Sequence, residues 1–423
     1  MRSFVKGRVG LRKVFRSLLD DLPDEHAEAL RACSVFSGLI DPCALSSVIG
    51  CQSASLLDAL AARGLIERIG ERFRLSSGLR EFLLTGSLQK SSKLRDLHAA
   101  HFVQVASQLS SNPSGPQVEA YVEHLDDLNG AFGWSIVRGQ PDKIFQLADS
   151  LYDFWLLVGW YEEGAAWLVE AAHSAASEPQ VAARLYNFAG SLFVLAGLLD
   201  AANEQLRKAL SLATALKSEP LLARIYNNFG TSAWVGGNLP NAAIAFEEAY
   251  TVADTIGAEV GAQLARCNAA GVLGEMGKFA KSMALLKPLV QIADPGVKGF
   301  ALMNSGMNRY AQAEADFGLS DLTEAFEVLH GAGILRGLSY CTRCLVPSYA
   351  ANGLQTQAAF MSGLHDQLNE EHFSVSSPES HRRFDEARSD IEESLGPATF
   401  LEIYEKGYYA QLDDVKSYLS KKW

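Results

Sequence analysis

The stretches Leu185-Tyr186-Asn187-Phe188-Ala189-Gly190 and Ile225-Tyr226-Asn227-Asn228-Phe229-Gly230 lie 40 residues apart and are near copies of each other. Seven residues after each closing glycine stands another, Gly197 or Gly237; five further on comes Ala202 or Ala242, and four beyond that Leu206 or Phe246. A third unit repeats the order with Ala270, Gly277, Ser282 and Leu286. Physically this is a helical hairpin: a small residue lets two helices approach, glycine makes the tight turn, and a large apolar side chain fills the seam. Turn glycines at Gly159, Gly197, Gly237, Gly277, Gly318 and Gly353 are separated by 38, 40, 40, 41 and 35 residues. Such spacing marks a stack of hairpins, each burying the same face against its neighbour.

Upstream of the stack the signals are shorter. Pro23, Asp24 and Glu25 open a helix whose apolar face holds Ala29, Leu30, Cys33, Val35 and Phe36. Asp41-Pro42 starts a second helix ending at Ile49-Gly50, and Ser53 is expected to cap a third through Leu56, Leu57, Leu60 and Ala61 to Gly64. Leu65 to Ile69 then alternates as a strand, Gly70-Glu71 turns, and Arg72 to Leu75 returns before a helix that begins at Ser76 or Ser77. Three helices, a two-stranded wing and a following helix describe a winged-helix domain.

Composition agrees with a folded helical protein. The 423 residues are 48% hydrophobic and 20% charged, with a formal charge of -12. Residues 1–110 hold 15 Lys and Arg against 11 Asp and Glu, and the remainder 22 against 38. Arg2, Lys6, Arg8, Arg12, Lys13 and Arg16 form a basic arm with no acid among them, read either as a frayed terminus or as a contact for an acidic partner or phosphate. No run of about 18 apolar residues spans a membrane, and no secretory apolar segment follows the basic start, so a cytoplasmic protein is expected. The six cysteines lie in apolar helical contexts and are expected to be reduced thiols.

The hairpin pattern resembles the tetratricopeptide repeat (TPR) over roughly residues 141–370, stretched to about forty residues by longer joins between helices. Leu22-Pro23, Ser34-Val35-Phe36-Ser37-Gly38, Leu56 to Leu60, Gly64-Leu65-Ile66, and Arg74-Leu75 through Arg80-Glu81-Phe82 run in the order of STAND signal-transduction ATPases. His98-Ala99-Ala100-His101-Phe102, Asp127-Leu128-Asn129, Trp134, Trp155, Gly159 and Trp167-Leu168 resemble the join that follows in bacterial LuxR-type and related STAND regulators, and Leu395-Gly396 to Tyr404 and Gly407 resembles their closing segment. The resemblance implies an upstream nucleotide-binding domain, but no Gly-x4-Gly-Lys-Ser/Thr loop occurs; Gly139-Gln140-Pro141-Asp142-Lys143 lacks the spacing. Ser76 stands where many relatives have a nucleotide-sensing histidine, and the LuxR-type helix-turn-helix would follow where this chain ends, at Trp423. The chain therefore resembles the middle and sensor part of such a regulator.

Catalytic chemistry finds little to stand on. Cys341-Thr342-Arg343-Cys344 has metal-ligand spacing without a second pair, and His98 with His101 lacks a carboxylate partner, so no metal and no cofactor are expected. No Gly-x-Ser-x-Gly or GxGxxG arrangement is present, and no enzyme is expected. The binding candidates lie on the inner helices. Arg184 with Asn187 recurs as Arg224 with Asn227, each pair three residues apart on one helical face, and Asn268 continues the row one position out of phase. Such a row suits an acidic or C-terminal peptide, as in some TPR domains, or serves only as a polar ladder between repeats. Trp155 and Trp167 are expected in the core. Trp234, on the side of its helix that carries Asn227 and Thr231, is expected to face a ligand.

The expected fold is all-α: a small winged-helix domain followed by a TPR-like α-α superhelix. Its divisions are a basic arm (1–15), a winged-helix-like domain (16–110), helical repeats (111–370) and capping helices (371–423). The expected role is a non-enzymatic scaffold, the partner- or signal-sensing part of a bacterial transcriptional regulator or signal-transduction protein, holding a protein or peptide and no membrane. The alternatives are DNA binding through Arg68, Arg72 and Arg74 of the wing together with the basic arm, and a STAND fragment needing an ATPase domain in trans. Against the first, the candidate recognition helix from Ser53 to Arg63 carries only Asp58 and Arg63 as charges.

Overall fold

The computed structural model describes residues 13–85, 88–110, 118–371 and 374–419. Arg2, Lys6, Arg8 and Arg12 of the basic arm lie outside the described residues, while Lys13 and Arg16 belong to helix α1 (13–20). The fold is all-α apart from one hairpin of strands, and it divides into two compact units, Met1–Phe154 with Glu170–Val181 and Trp155–Val169 with Ala182–Trp423.

The first unit opens with α2 (Asp24–Cys33), α3 (Pro42–Ile49) and α4 (Ala54–Ala62). Asp41 caps α3 by accepting from the N–H groups of Cys43 and Ala44, and Gly50 ends it in the left-handed region at φ 75°. Ser53 stands at the N-cap position of α4 but does not cap it: its fully buried hydroxyl donates to the Pro42 carbonyl at 2.6 Å, tying the start of α4 to the start of α3. Strand β1 (Ile66–Ile69) pairs antiparallel with β2 (Arg72–Leu75), Ile66 opposite Leu75, and Ile40 adds an isolated bridge to Phe73. Then come α5 (Ser77–Thr85), α6 (Leu88–Ser110) and α7 (Val118–Arg138).

Buried Asp127 on α7 explains two of the quoted motifs together. Its Oδ1 accepts from the Ser37 N–H at 2.7 Å and lies 3.0 Å from His98 Nε2, so His98 does have a carboxylate partner, contrary to the expectation from sequence; an added Cβ on Gly38 would come within 3.2 Å of its Oδ2. The Ser34–Gly38 loop is thus docked onto α6 and α7 through one carboxylate. A buried polar group needs hydrogen-bond partners, and Ser37 and His98 supply them at Oδ1.

The second unit contains α10 (Pro179–Leu195), α11 (Leu199–Ala215), α12 (Glu219–Val235), α13 (Leu239–Thr255) and α14 (Glu259–Glu275), each 17 residues long and joined by three. The joins turn through left-handed residues at Gly197, Lys217, Gly237, Gly257 and Gly277. The forty-residue period therefore comes from long helices and tight joins, not from long joins; that expectation is corrected. The seam is as the pattern implied: Cβ atoms added to Gly190 and Gly230 would lie 2.6 Å from Leu206 and Phe246, and Ser282, in the place of Ala202 and Ala242, donates to the Ala270 carbonyl at 2.6 Å.

One turn glycine is misassigned. Helix α15 (Phe279–Leu286) stops short before Pro288, which lacks the N–H a continuing helix needs. A short 3₁₀ turn, Leu289–Gln291, leads to α16 (Pro295–Ala311), α17 (Ala315–Gly331), α18 (Leu335–Ala351) and α19 (Gln355–Glu371). The unit is four residues shorter, so its turn falls at Ala313 (φ 63°), and Gly318 sits inside α17. An added Cβ on Gly306 would lie 2.8 Å from the Gly318 carbonyl, so Gly318 is the close-approach residue that corresponds to Ala202. Helices α20 (Pro378–Leu395), α21 (Pro397–Tyr408) and α22 (Leu412–Leu419) follow.

Candidate functional site

The row of amides is a ladder between repeats. Asn228 Nδ2 donates to Asn187 Oδ1 at 2.9 Å and Asn268 Nδ2 to Asn227 Oδ1 at 3.0 Å. After the four-residue shortening, Asn304 Nδ2 reaches the Cys267 carbonyl at 3.1 Å and continues the row. Asn187 is buried, Arg184 half-buried and Arg224 exposed.

Further along the same inner helices the side chains surround a cavity of about 250 Å³, within the second unit. Thr231 and Trp234 come from α12, Asn268 and Glu275 from α14, Phe300 and Asn304 from α16, and Arg336 and Tyr340 from α18; Ser374 and Val375 close one side. Of the sequence candidates, Thr231, Trp234 and Asn268 line this cavity, whereas Arg184, Asn187, Arg224 and Asn227 do not. Trp155 is in the core, and Trp167 is half-buried.

Trp234 and Glu275 form the centre of the site. The indole Nε1–H donates to Glu275 Oε1 at 2.9 Å, and the Ser377 hydroxyl donates to the same oxygen at 3.0 Å. Glu275 Oε2 is buried without a hydrogen-bond partner. Burial raises the Glu275 pKa above the usual carboxylate value, a shift opposed by the Trp234 and Ser377 hydrogen bonds. The Trp234 ring also meets Tyr340 edge to face, with centroids 5.9 Å apart, so α12 and α18 touch across the inner surface. Burial holds the Tyr340 hydroxyl well above its ordinary pKa, and it stays neutral. Arg336, one turn before Tyr340, donates to the Leu156 carbonyl at 3.0 Å and hydrogen-bonds Tyr161.

Glu275, Arg336 and Tyr340 escaped the sequence reading. Glu275 had a signal: it follows Trp234 by 41 residues, the interval that separates Asn187 from Asn228 and Asn227 from Asn268. Arg336 and Tyr340 had none, because closure of the array brings them near.

The other candidates sit apart from this cavity. Arg68 pairs with Asp58 and stacks 4.6 Å from the Phe73 ring centroid, Arg72 pairs with Glu123, and Arg74 lies 4.0 Å from Glu67. Each basic side chain of the β hairpin thus faces a carboxylate. Cys341 and Cys344 are buried in α18, where burial lifts both thiols above their ordinary pKa. Among the described residues no group of three His, Cys, Asp or Glu could hold a metal ion, and no single helix is long and apolar enough to cross a membrane.

No family model matches the chain, and no curated protein matches it. Among solved structures it is similar to a STAND protein with a tetratricopeptide repeat sensor from Pyrococcus horikoshii, at 15% identity and a TM-score of 0.47 over 97% of this chain and 67% of that one. It is also similar to aspartyl phosphate phosphatase F from Bacillus subtilis, at 14% identity and 0.47 over 93% and 90%. A Rap protein complexed with competence and sporulation factor gives 12% identity and 0.45 over 78% and 99%. At TM-scores below 0.5 these likenesses carry no argument about what this chain does.

Proposed function

We propose that the helical array is the partner- or signal-sensing part of a regulatory protein of the STAND or LuxR-type kind, and that it works by binding rather than by catalysis. One observation carries this: Trp234, Glu275, Arg336 and Tyr340, from three helices spread over more than a hundred residues, converge on a single cavity among amides. Concave sites with a few convergent polar groups and aromatic walls are the usual form of a binding site. A protein or peptide partner, with an acidic or C-terminal segment, lies along the inner face and reaches Thr231, Trp234 and Asn268, with exposed Arg224 and half-buried Arg184 beside its path. The segment from α2 to α5 is a winged helix in this reading, supported by the order of helices, the β1–β2 hairpin and the Ile40–Phe73 bridge. Its ion-paired arginines favour contact through the array over contact with DNA.

The test is capture of a partner by the wild type, by Trp234→Ala and by Arg184→Ala with Arg224→Ala, measured per folded molecule beside thermal unfolding. Removal of charge-assisted hydrogen bonds weakens capture by roughly 1–3 kcal/mol in the double variant. Lower stability with unchanged capture in both variants assigns these residues to the scaffold alone and sinks the proposal.

A further inference from the structure

The second unit's cavity holds one carboxylate, Glu275, and one guanidinium, Arg336, with the amides of Asn268 and Asn304 between apolar walls of Leu195, Phe246, Phe300 and Met303. We infer that it binds a free apolar α-amino acid, the ammonium on Glu275 and the carboxylate on Arg336. This rests on the reading of the array as a sensor and names the class of signal, a small ligand inside the cavity that is distinct from the partner lying along the inner face.

Size comes first. A bridging water needs only roughly 10–15 Å³ of such space, and drug-sized ligands occupy sites of roughly 300–1,000 Å³. A cavity of about 250 Å³ is too large for a few waters and suits a small metabolite. Charge comes second. Glu275 Oε1 is saturated by Trp234 and Ser377, while Oε2 is buried without a hydrogen-bond partner, so that oxygen lacks a donor; Arg383 acts on the carboxylate only through space. An ammonium supplies one and offsets the burial of the negative charge. Arg336 spends part of its five-donor fork on Leu156 and Tyr161 and is the one cation lining the cavity.

Both charged ends line the same cavity and are linked by a chain of direct contacts. Glu275 bonds the Trp234 indole, whose ring packs on Tyr340, and Arg336 lies one turn before Tyr340 on the same helix face, roughly 6 Å along the axis. The charged ends of an α-amino acid are roughly 3 Å apart, and two hydrogen bonds of about 2.9 Å extend that reach to roughly 9 Å. The side chain then falls among Leu195, Phe246 and Met303.

The experiment titrates the full chain with each free apolar and aromatic amino acid, following tryptophan fluorescence and melting temperature. The expected result is a saturable rise in melting temperature with at least one of them. It is lost with the matching N-acetyl amino acid and amino-acid amide, and affinity falls roughly ten- to hundredfold in Glu275→Gln, the loss expected for a charge-assisted hydrogen bond. The N-acetyl and amide probes need no variant, so a misfolded substitution does not leave the question open. The inference is overturned if no amino acid shifts either signal, or if the amide or N-acetyl form binds as tightly as the free amino acid. Those results with Trp234→Ala still abolishing partner capture remove the amino acid and leave the partner-binding reading standing.

Discussion

Gly230→Ala tests the hairpin seam at its tightest point. The added Cβ would lie 2.6 Å from both Cδ1 and Cε1 of Phe246, against an ordinary carbon contact of about 3.5–4.0 Å, so the ring must retreat by about 1 Å. Phe246 is only 3% exposed and cannot swing into solvent. Overpacking of this kind costs about 1–3 kcal/mol, while replacing a mid-helix glycine by alanine returns about 1 kcal/mol of helix propensity. A buried ring forced back by about 1 Å puts that cost in the upper half of the range, about 2–3 kcal/mol, so the net expectation is a loss of about 1–2 kcal/mol of unfolding free energy, measured in urea. The third unit supplies the control: Ala270 faces Leu286 there, so Gly230→Ala combined with Phe246→Leu should be more stable than the two single losses predict, with a coupling of about 1 kcal/mol. A Gly230→Ala protein as stable as the wild type, or strict additivity in the cycle, refutes the claim that close helix approach at Gly230 shapes the hairpin seam.

His365 sets a second expectation. Its Nδ1–H donates to the Ser339 carbonyl at 3.0 Å and its Nε2 faces the Arg343 guanidinium at 3.1 Å, so the neutral ring fits and a second proton does not. Burial, reinforced by the Arg343 charge, lowers its pKa to about 4. Because the folded value lies below the unfolded value of about 6.5, stability is full above pH 6.5 and drains as pH falls toward 4, by on the order of 3 kcal/mol at most. Urea midpoints of wild type and His365→Gln should diverge in slope across that window, and parallel curves would contradict the assignment. Duplex DNA should show no binding with a steep salt dependence, since Arg68, Arg72 and Arg74 are each paired; an anisotropy signal lost on changing all three to Ala would revive DNA contact.

How far the sequence could be read depended on whether the period held. Gly190 with Leu206 and Gly230 with Phe246 were legible because identical seams recur at identical spacing. Gly318 was misread because a local event, the helix break before Pro288, removed four residues and shifted every later position. Ser53 had the chemistry of a cap, but a nearer acceptor, the Pro42 carbonyl, took its hydroxyl. At the site, Asn268 and Trp234 were legible as members of a row on one helix face, whereas the pairing that consumes Asn187 and Asn227 depends on the 41-residue offset between neighbours. Arg336 and Tyr340 were out of reach for a different reason: their nearness to Trp234 and Leu156 is a property of how the stack curves within its unit, which no local pattern encodes.

The claim that the array's inner face engages the partner, and the β1–β2 hairpin does not, is tested most directly by amide hydrogen exchange. The protein would be compared before and after addition of its captured partner. The account predicts slowed exchange in the α12, α14 and α18 segments around Thr231 to Trp234, Asn268 to Glu275 and Arg336 to Tyr340. Slowing confined to Ile66 through Leu75, with those inner-helix segments unchanged, would contradict it.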